Sequence, residues 1–115
     1  MGKRILVVDD EEMILNAIKL ILEDMGHAVD VCSDPAAGEK MALEQSYDLI
    51  LVDLRMPGKN GADVTTAVLA RKPESRVLVI TAYPGDPLAA RALDAGAVGL
   101  LKKPFEIAKI LDFLK

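Results

Sequence analysis

The chain has 115 residues, enough for one compact domain over positions 1–115, and its core must be aliphatic because 51% of residues are hydrophobic and only 3% aromatic. A formal net charge of −4, from 14 basic and 18 acidic side chains, argues against a nucleic-acid surface, and the apolar runs fall well short of the ~20 residues of a membrane span. The chain does not open on a secretion-type segment and its single cysteine, Cys32, cannot pair internally, so a cytoplasmic protein is the expectation.

In chain order, the first strand is expected at Arg4–Asp9 and ends in Asp9-Asp10. A helix over Glu11–Met25 follows, with Met13, Ala17, Ile18, Ile21, Leu22 and Met25 spaced as a buried stripe and Gly26 as its C-terminal cap. The second strand, Ala28–Cys32, places Cys32 as a small buried residue. Asp34-Pro35 reads as an N-cap with proline at N1 and opens a helix over Pro35–Gln45. The third strand, Asp48–Asp53, holds an apolar run between its terminal aspartates, the pattern of a strand buried on both faces. A helix over Ala62–Arg71 leads to a strand at Arg76–Thr81. Asp86-Pro87 repeats the capping signal for a helix over Pro87–Ala95. The fifth strand is expected at Val98–Leu101 and the last helix at Glu106–Lys115, where Ile107, Ile110, Leu111 and Leu114 repeat at i, i+3, i+4 and i+7.

This alternation predicts an α/β fold: a five-stranded parallel sheet with five helices on both faces, in the flavodoxin-like order 2-1-3-4-5. The switch point of that order lies between strands 1 and 3, the strands that end in Asp9-Asp10 and in Asp53. Since the chain stops within the last expected helix, either the domain stands alone or a further segment follows it.

Three carboxylates meeting on one sheet edge need a cation or a proton. Hard oxygen ligands without cysteine or clustered histidine point to Mg²⁺, with Mn²⁺ as the alternative ion. Helix capping explains Asp9-Asp10 alone, and turn initiation before Met56-Pro57-Gly58 explains Asp53 alone. Neither explains why two strands far apart in sequence both end in aspartate. Thr81 closes the fourth strand and Lys103 follows the fifth, so both reach the same edge, where a hydroxyl and an ammonium suit a phosphoryl group. Proline after Lys103 biases that residue to an extended conformation, which selects it over Lys102. His27 in its turn reads as a surface histidine, Asp48 at the opposite edge as structural, and Gly58 and Gly61 as loop residues without a P-loop.

The ordered set Asp9-Asp10, Asp53-Leu-Arg-Met-Pro57 with Gly61, Thr81-Ala82 and Lys103-Pro104-Phe105 resembles the receiver domain of two-component response regulators, the CheY-like superfamily. The resemblance covers essentially the whole chain. It implies that Asp53 accepts a phosphoryl group from a histidine kinase or a phosphotransfer protein. It further implies Asp10 and Asp53 as direct Mg²⁺ ligands, the main-chain carbonyl of Arg55 as a third, and Asp9 as a ligand through water. Thr81 and Lys103 would contact the phosphoryl oxygens. Output through the fourth helix, fifth strand and fifth helix, to an effector, a fused output domain or a second copy in a homodimer, is implied as well. The domain would catalyse only its own phosphorylation and dephosphorylation. The family usually carries an aromatic residue three places before the lysine; here that place is Leu100, so the threonine–aromatic switch must work differently. Arg55 and Tyr83 flank the expected phosphoryl site. An aspartate-nucleophile phosphatase or phosphotransferase of the haloacid dehalogenase type is the alternative enzyme class, but Asp53-Leu54-Arg55 is not its Asp-x-Asp signature. A degenerate receiver that only binds partners is a third alternative, against which the intact Asp53, Asp10 and Lys103 speak.

Overall fold

A computed structural model describes residues 2–114. Five strands, β1 (Arg4–Val8), β2 (Ala28–Cys32), β3 (Leu49–Asp53), β4 (Val77–Thr81) and β5 (Gly99–Lys102), alternate with five helices. These are α1 (Glu12–Asp24), α2 (Pro35–Glu44), α3 (Gly61–Arg71), α4 (Pro87–Ala95) and α5 (Ala108–Leu111). All pairings are parallel and the sheet order is β2-β1-β3-β4-β5, as the alternation predicts. Every residue of β3 and β4 is buried, the expected state of central strands covered on both faces.

Two aliphatic layers sandwich the sheet. On one face Leu6, Val8, Ile50, Val52, Val77 and Val79 pack with residues of α2, α3 and α4. On the other, Ile5, Val7, Leu49, Leu51, Leu78 and Ile80 pack with Leu15, Ile18 and Leu22 of α1 and Ile110 of α5. Each such buried side chain contributes ~1.5–3 kcal/mol, so the sheet edge that carries the polar residues is held from both sides.

The local signals act as expected at three helix ends. Asp34 accepts from the Ala37 amide, Asp86 accepts from the Leu88 amide, and Gly26 follows α1 with φ +94°. Asp48 accepts a 2.7 Å bond from the Arg4 amide, a structural role at the far edge, and His27 Nδ1 accepts from the Lys3 amide.

Three details differ from the sequence reading. The stripe of α1 is rotated: Leu15, Ile18 and Leu22 are buried, whereas Met13, Ala17, Ile21 and Met25 are exposed. An i, i+4 series admits two adjacent faces, and the sheet selects the one containing Leu15. Cys32 is half-buried, because β2 is an edge strand. The last helix is one α-turn, with i→i+3 bonds on both sides at Lys109, Ile110, Asp112, Phe113 and Leu114. Three-residue spacing puts Ile107, Ile110 and Phe113 on the sheet side, and the Phe113 ring lies where a Cβ on Gly99 would stand. The predicted end of that helix, Lys115, lies outside the described residues.

Candidate functional site

The carboxyl edge of the sheet gathers the expected side chains. Asp9 follows β1 and is fully buried, Asp53 ends β3 at 5% exposure, and Asp10 beside them faces solvent. Carboxylate oxygens of the three lie within 4.8 Å of one another. Glu11 is the N-cap of α1 and makes no side-chain capping bond, while Asp9 Oδ1 accepts from the Glu11 amide at 2.9 Å. Capping therefore leaves Asp10 and the second oxygen of Asp9 unexplained. Asp9 Oδ2 is buried and accepts no hydrogen bond; its neighbour is the Lys103 ammonium at 3.1 Å.

Lys103 reaches back from the end of β5 to three carboxylates: Asp9 at 3.1 Å, Glu11 at 3.0 Å and Asp53 Oδ2 at 3.2 Å. The extended approach to Pro104 orients it, with the Lys103 amide bonded to the Thr81 carbonyl and the Lys103–Pro104 bond cis. Burial works against the lysine charge, but Glu11, Asp53 and Asp9 outweigh it and hold its pKa above the usual value. The carboxylates are less well served. Burial, and then the charge of Asp9, push Asp53 up to about 6, against the opposing pull of Lys103 and the Arg55 amide. One ammonium shared among several carboxylates leaves a net negative pocket of hard oxygen donors with one solvent-facing member. That donor set fits a hard divalent cation such as Mg²⁺.

Above Asp53 lies a cleft of about 220 Å³ lined by Asp10, Glu11, Arg55, Ala82, Tyr83 and Lys103. Close packing holds the cleft's floor: Gly61 opens α3 with its amide on the Leu54 carbonyl, and a Cβ there would meet the Asp53 carbonyl oxygen.

Two expected site residues stand apart from the cluster. Thr81 ends β4 on the same edge and is buried, but its hydroxyl accepts from the Tyr83 amide at 3.0 Å and donates to the Tyr83 carbonyl. Leu100 pairs with Val79 in the sheet and packs half-buried into the layer of Ala89 and Ala92, the α4 side. Two further residues escape sequence reasoning. Glu11 is a Lys103 partner, signalled only by its place after the acidic pair. Asp86, legible as a cap, also binds the Arg55 guanidinium through both oxygens, at 2.6 and 2.7 Å. No spacing rule links positions 55 and 86.

The family model of the response regulator receiver domain matches residues 5–115. Among curated relatives, the alginate biosynthesis transcriptional regulatory protein AlgB of Pseudomonas aeruginosa is 40% identical over 101 residues, 88% of this chain but only 22% of that protein. The chain thus spans about a fifth of the length of the AlgB relatives it matches. A response regulator of Burkholderia pseudomallei, solved with a phosphorylated aspartic acid, a calcium ion and citrate, superposes with a TM-score of 0.89 at 30% identity, covering 99% of this chain and 67% of that one. The receiver domain of a sensor histidine kinase from Pseudomonas aeruginosa, solved with a magnesium ion in its active-site cleft, gives 0.88 at 28% identity, covering 99% and 95%. Fold, sheet-edge cluster and sequence similarity agree: the chain belongs to the response regulator receiver domains of two-component systems.

Proposed function

We propose that this domain is a Mg²⁺-dependent phospho-acceptor in which Asp53 takes a phosphoryl group from a phosphohistidine of a sensor kinase or phosphotransfer protein. The observation that carries the reading is the Asp53 carboxylate itself, at the floor of an open cleft, bonded to Lys103 and crowded by Asp9 and Asp10. A carboxylate oxygen of Asp53 attacks phosphorus, the P–N bond breaks, and its electron pair leaves on the donor imidazole. The product is an acyl phosphate, which water later cleaves to the carboxylate and inorganic phosphate.

Asp10, Asp53 and the Arg55 carbonyl would hold the metal directly and Asp9 through water, with Mn²⁺ as a substitute. The bound ion would neutralise charge on the phosphoryl oxygens. Lys103 already sits 3.2 Å from Asp53 and needs only to shift from carboxylate to phosphoryl oxygen. Thr81 must give up its bonds to Tyr83 to reach the phosphoryl group, which displaces the loop before α4. Leu100 repacks with that movement and changes the α4-β5-α5 face seen by an effector, a fused output domain or a second copy. Beside the site, a groove lined by Ile14, Ala17, Phe105 and Ile107 shares Lys103 and Glu11 with it, and exposed Met13 and Leu20 continue its apolar surface along α1. That face offers a phosphodonor protein a place to rest next to Asp53.

Incubation with a small acyl-phosphate donor and Mg²⁺ is expected to add the mass of one phosphoryl group to the wild type and none to Asp53→Asn. Labelling that survives the substitution would refute the assignment.

A further inference from the structure

The Arg55–Asp86 pair is built differently from the other ion pairs of the surface. Asp86 is a buried carboxylate, its side chain 4% exposed, held by Nε and Nη2 of the Arg55 guanidinium and by the Leu88 amide in the first turn of α4. Arg55 is largely solvent-accessible and lines the cleft above Asp53. One cation therefore joins the loop after the acceptor strand to the start of α4. The hydrogen bonds from Arg55, and then from the Leu88 amide, hold the Asp86 carboxyl below the ordinary carboxylate value. A second pair, Arg91–Asp63 at 2.8 Å, ties the middle of α4 to α3.

We propose that Arg55 is a phosphoryl-binding residue held in reserve by Asp86, and that its transfer from Asp86 to phosphorylated Asp53 releases the first turn of α4. This rests on the phospho-acceptor reading and adds the element that reads the phosphoryl group out. A guanidinium fork matches two phosphoryl oxygens as well as it matches a carboxylate. Phosphorylation places close to two negative charges on the cleft floor below Arg55, whereas Asp86 offers one. Asp86 keeps its bond to the Leu88 amide when Arg55 leaves, and the loop containing Tyr83 and Gly85 lets its free charge turn to solvent. Arg91–Asp63 remains as a pivot, so α4 tilts from its N-terminal end. The movement reaches Ala89, in the layer that Leu100 joins. A leucine at position 100 then follows α4 instead of driving it.

The test uses the intact chain labelled with ¹⁵N, with and without an acyl-phosphate donor and Mg²⁺, in the wild type, Asp86→Asn and Arg55→Gln. Asparagine keeps the cap on Leu88 and removes the charge that holds Arg55. Phosphorylation of the wild type is expected to move the Arg55 Nε–H resonance together with the amides of Leu88–Ala92. Unphosphorylated Asp86→Asn and Arg55→Gln should already show those α4 amides displaced towards the phosphorylated positions. Asp86→Asn should still accept one phosphoryl group, with a further α4 shift less than half that of the wild type. An unmoved Arg55 Nε–H signal in phosphorylated wild type, or an α4 change on phosphorylation as large in Asp86→Asn as in the wild type, would overturn the transfer while leaving the acceptor role intact. Absence of labelling in the wild type would overturn both.

Discussion

Replacing Asp53 by asparagine should stabilise the metal-free protein while abolishing its chemistry. Asp53 has a pKa of about 6 in the fold against an ordinary 3.8, chiefly because it is buried and secondly because Asp9 faces it. Between those values the folded chain holds a proton that the unfolded chain has lost. Stability therefore falls as pH rises across that window, and the penalty is complete above about pH 6. Two pKa units correspond to roughly 3 kcal/mol at 1.4 kcal/mol per unit. The cleft is open to water and screens part of this, which leaves roughly 1–2 kcal/mol. Asparagine keeps the shape and removes the charge. In chelator at pH 7.5, Asp53→Asn is expected to unfold at higher denaturant by about 1–2 kcal/mol, and at pH 4 the advantage should nearly vanish. An Asp53→Asn protein no more stable than wild type at pH 7.5, or a difference independent of pH, would refute the electrostatic account of the cluster.

Other perturbations address separate parts of the structure. Mg²⁺ at ten times its Kd should stabilise the wild type by ~1.4 kcal/mol, read as a rise in Tm, and the gain should be much smaller in Asp10→Asn; equal gains would place the ion elsewhere. Gly61→Ala drives a Cβ into the Asp53 carbonyl oxygen and should cost about 1–3 kcal/mol in denaturant unfolding with slower phosphoryl uptake. Leu100→Tyr puts a ring into the half-buried slot beside the α4 layer; phosphorylation-induced shifts of α4 amides should grow, and unchanged shifts would separate position 100 from the switch.

The sheet was legible because its signals are local and redundant. Apolar runs bounded by turn residues marked β3 and β4, Asp-Pro pairs marked α2 and α4, and the alternation over this length fitted a sheet order whose switch point coincides with Asp9, Asp10 and Asp53. The rotated stripe of α1 was not legible, since Met13 and Leu15 are equally apolar and only the sheet decides between them. The contraction of α5 to one α-turn was not legible either, since Ile107, Ile110, Leu111 and Leu114 keep a helical spacing, and the packing of Phe113 over Gly99 is a contact between elements. Within the site, residues at strand ends could be placed from order alone. Hydroxyl orientation at Thr81, the Glu11–Lys103 bond and the Arg55–Asp86 pair could not, because each joins loops whose relative placement arises only in three dimensions.

The central claim, that Asp53 carries the phosphoryl group, is tested most directly by trapping it. Borohydride reduction of the phosphodonor-treated protein converts an aspartyl phosphate to homoserine, and peptide mass spectrometry then reads the position. Homoserine at position 53, dependent on Mg²⁺ and absent without donor, is the predicted result. Conversion at Asp9, Asp10 or any other aspartate in place of Asp53 would contradict the account.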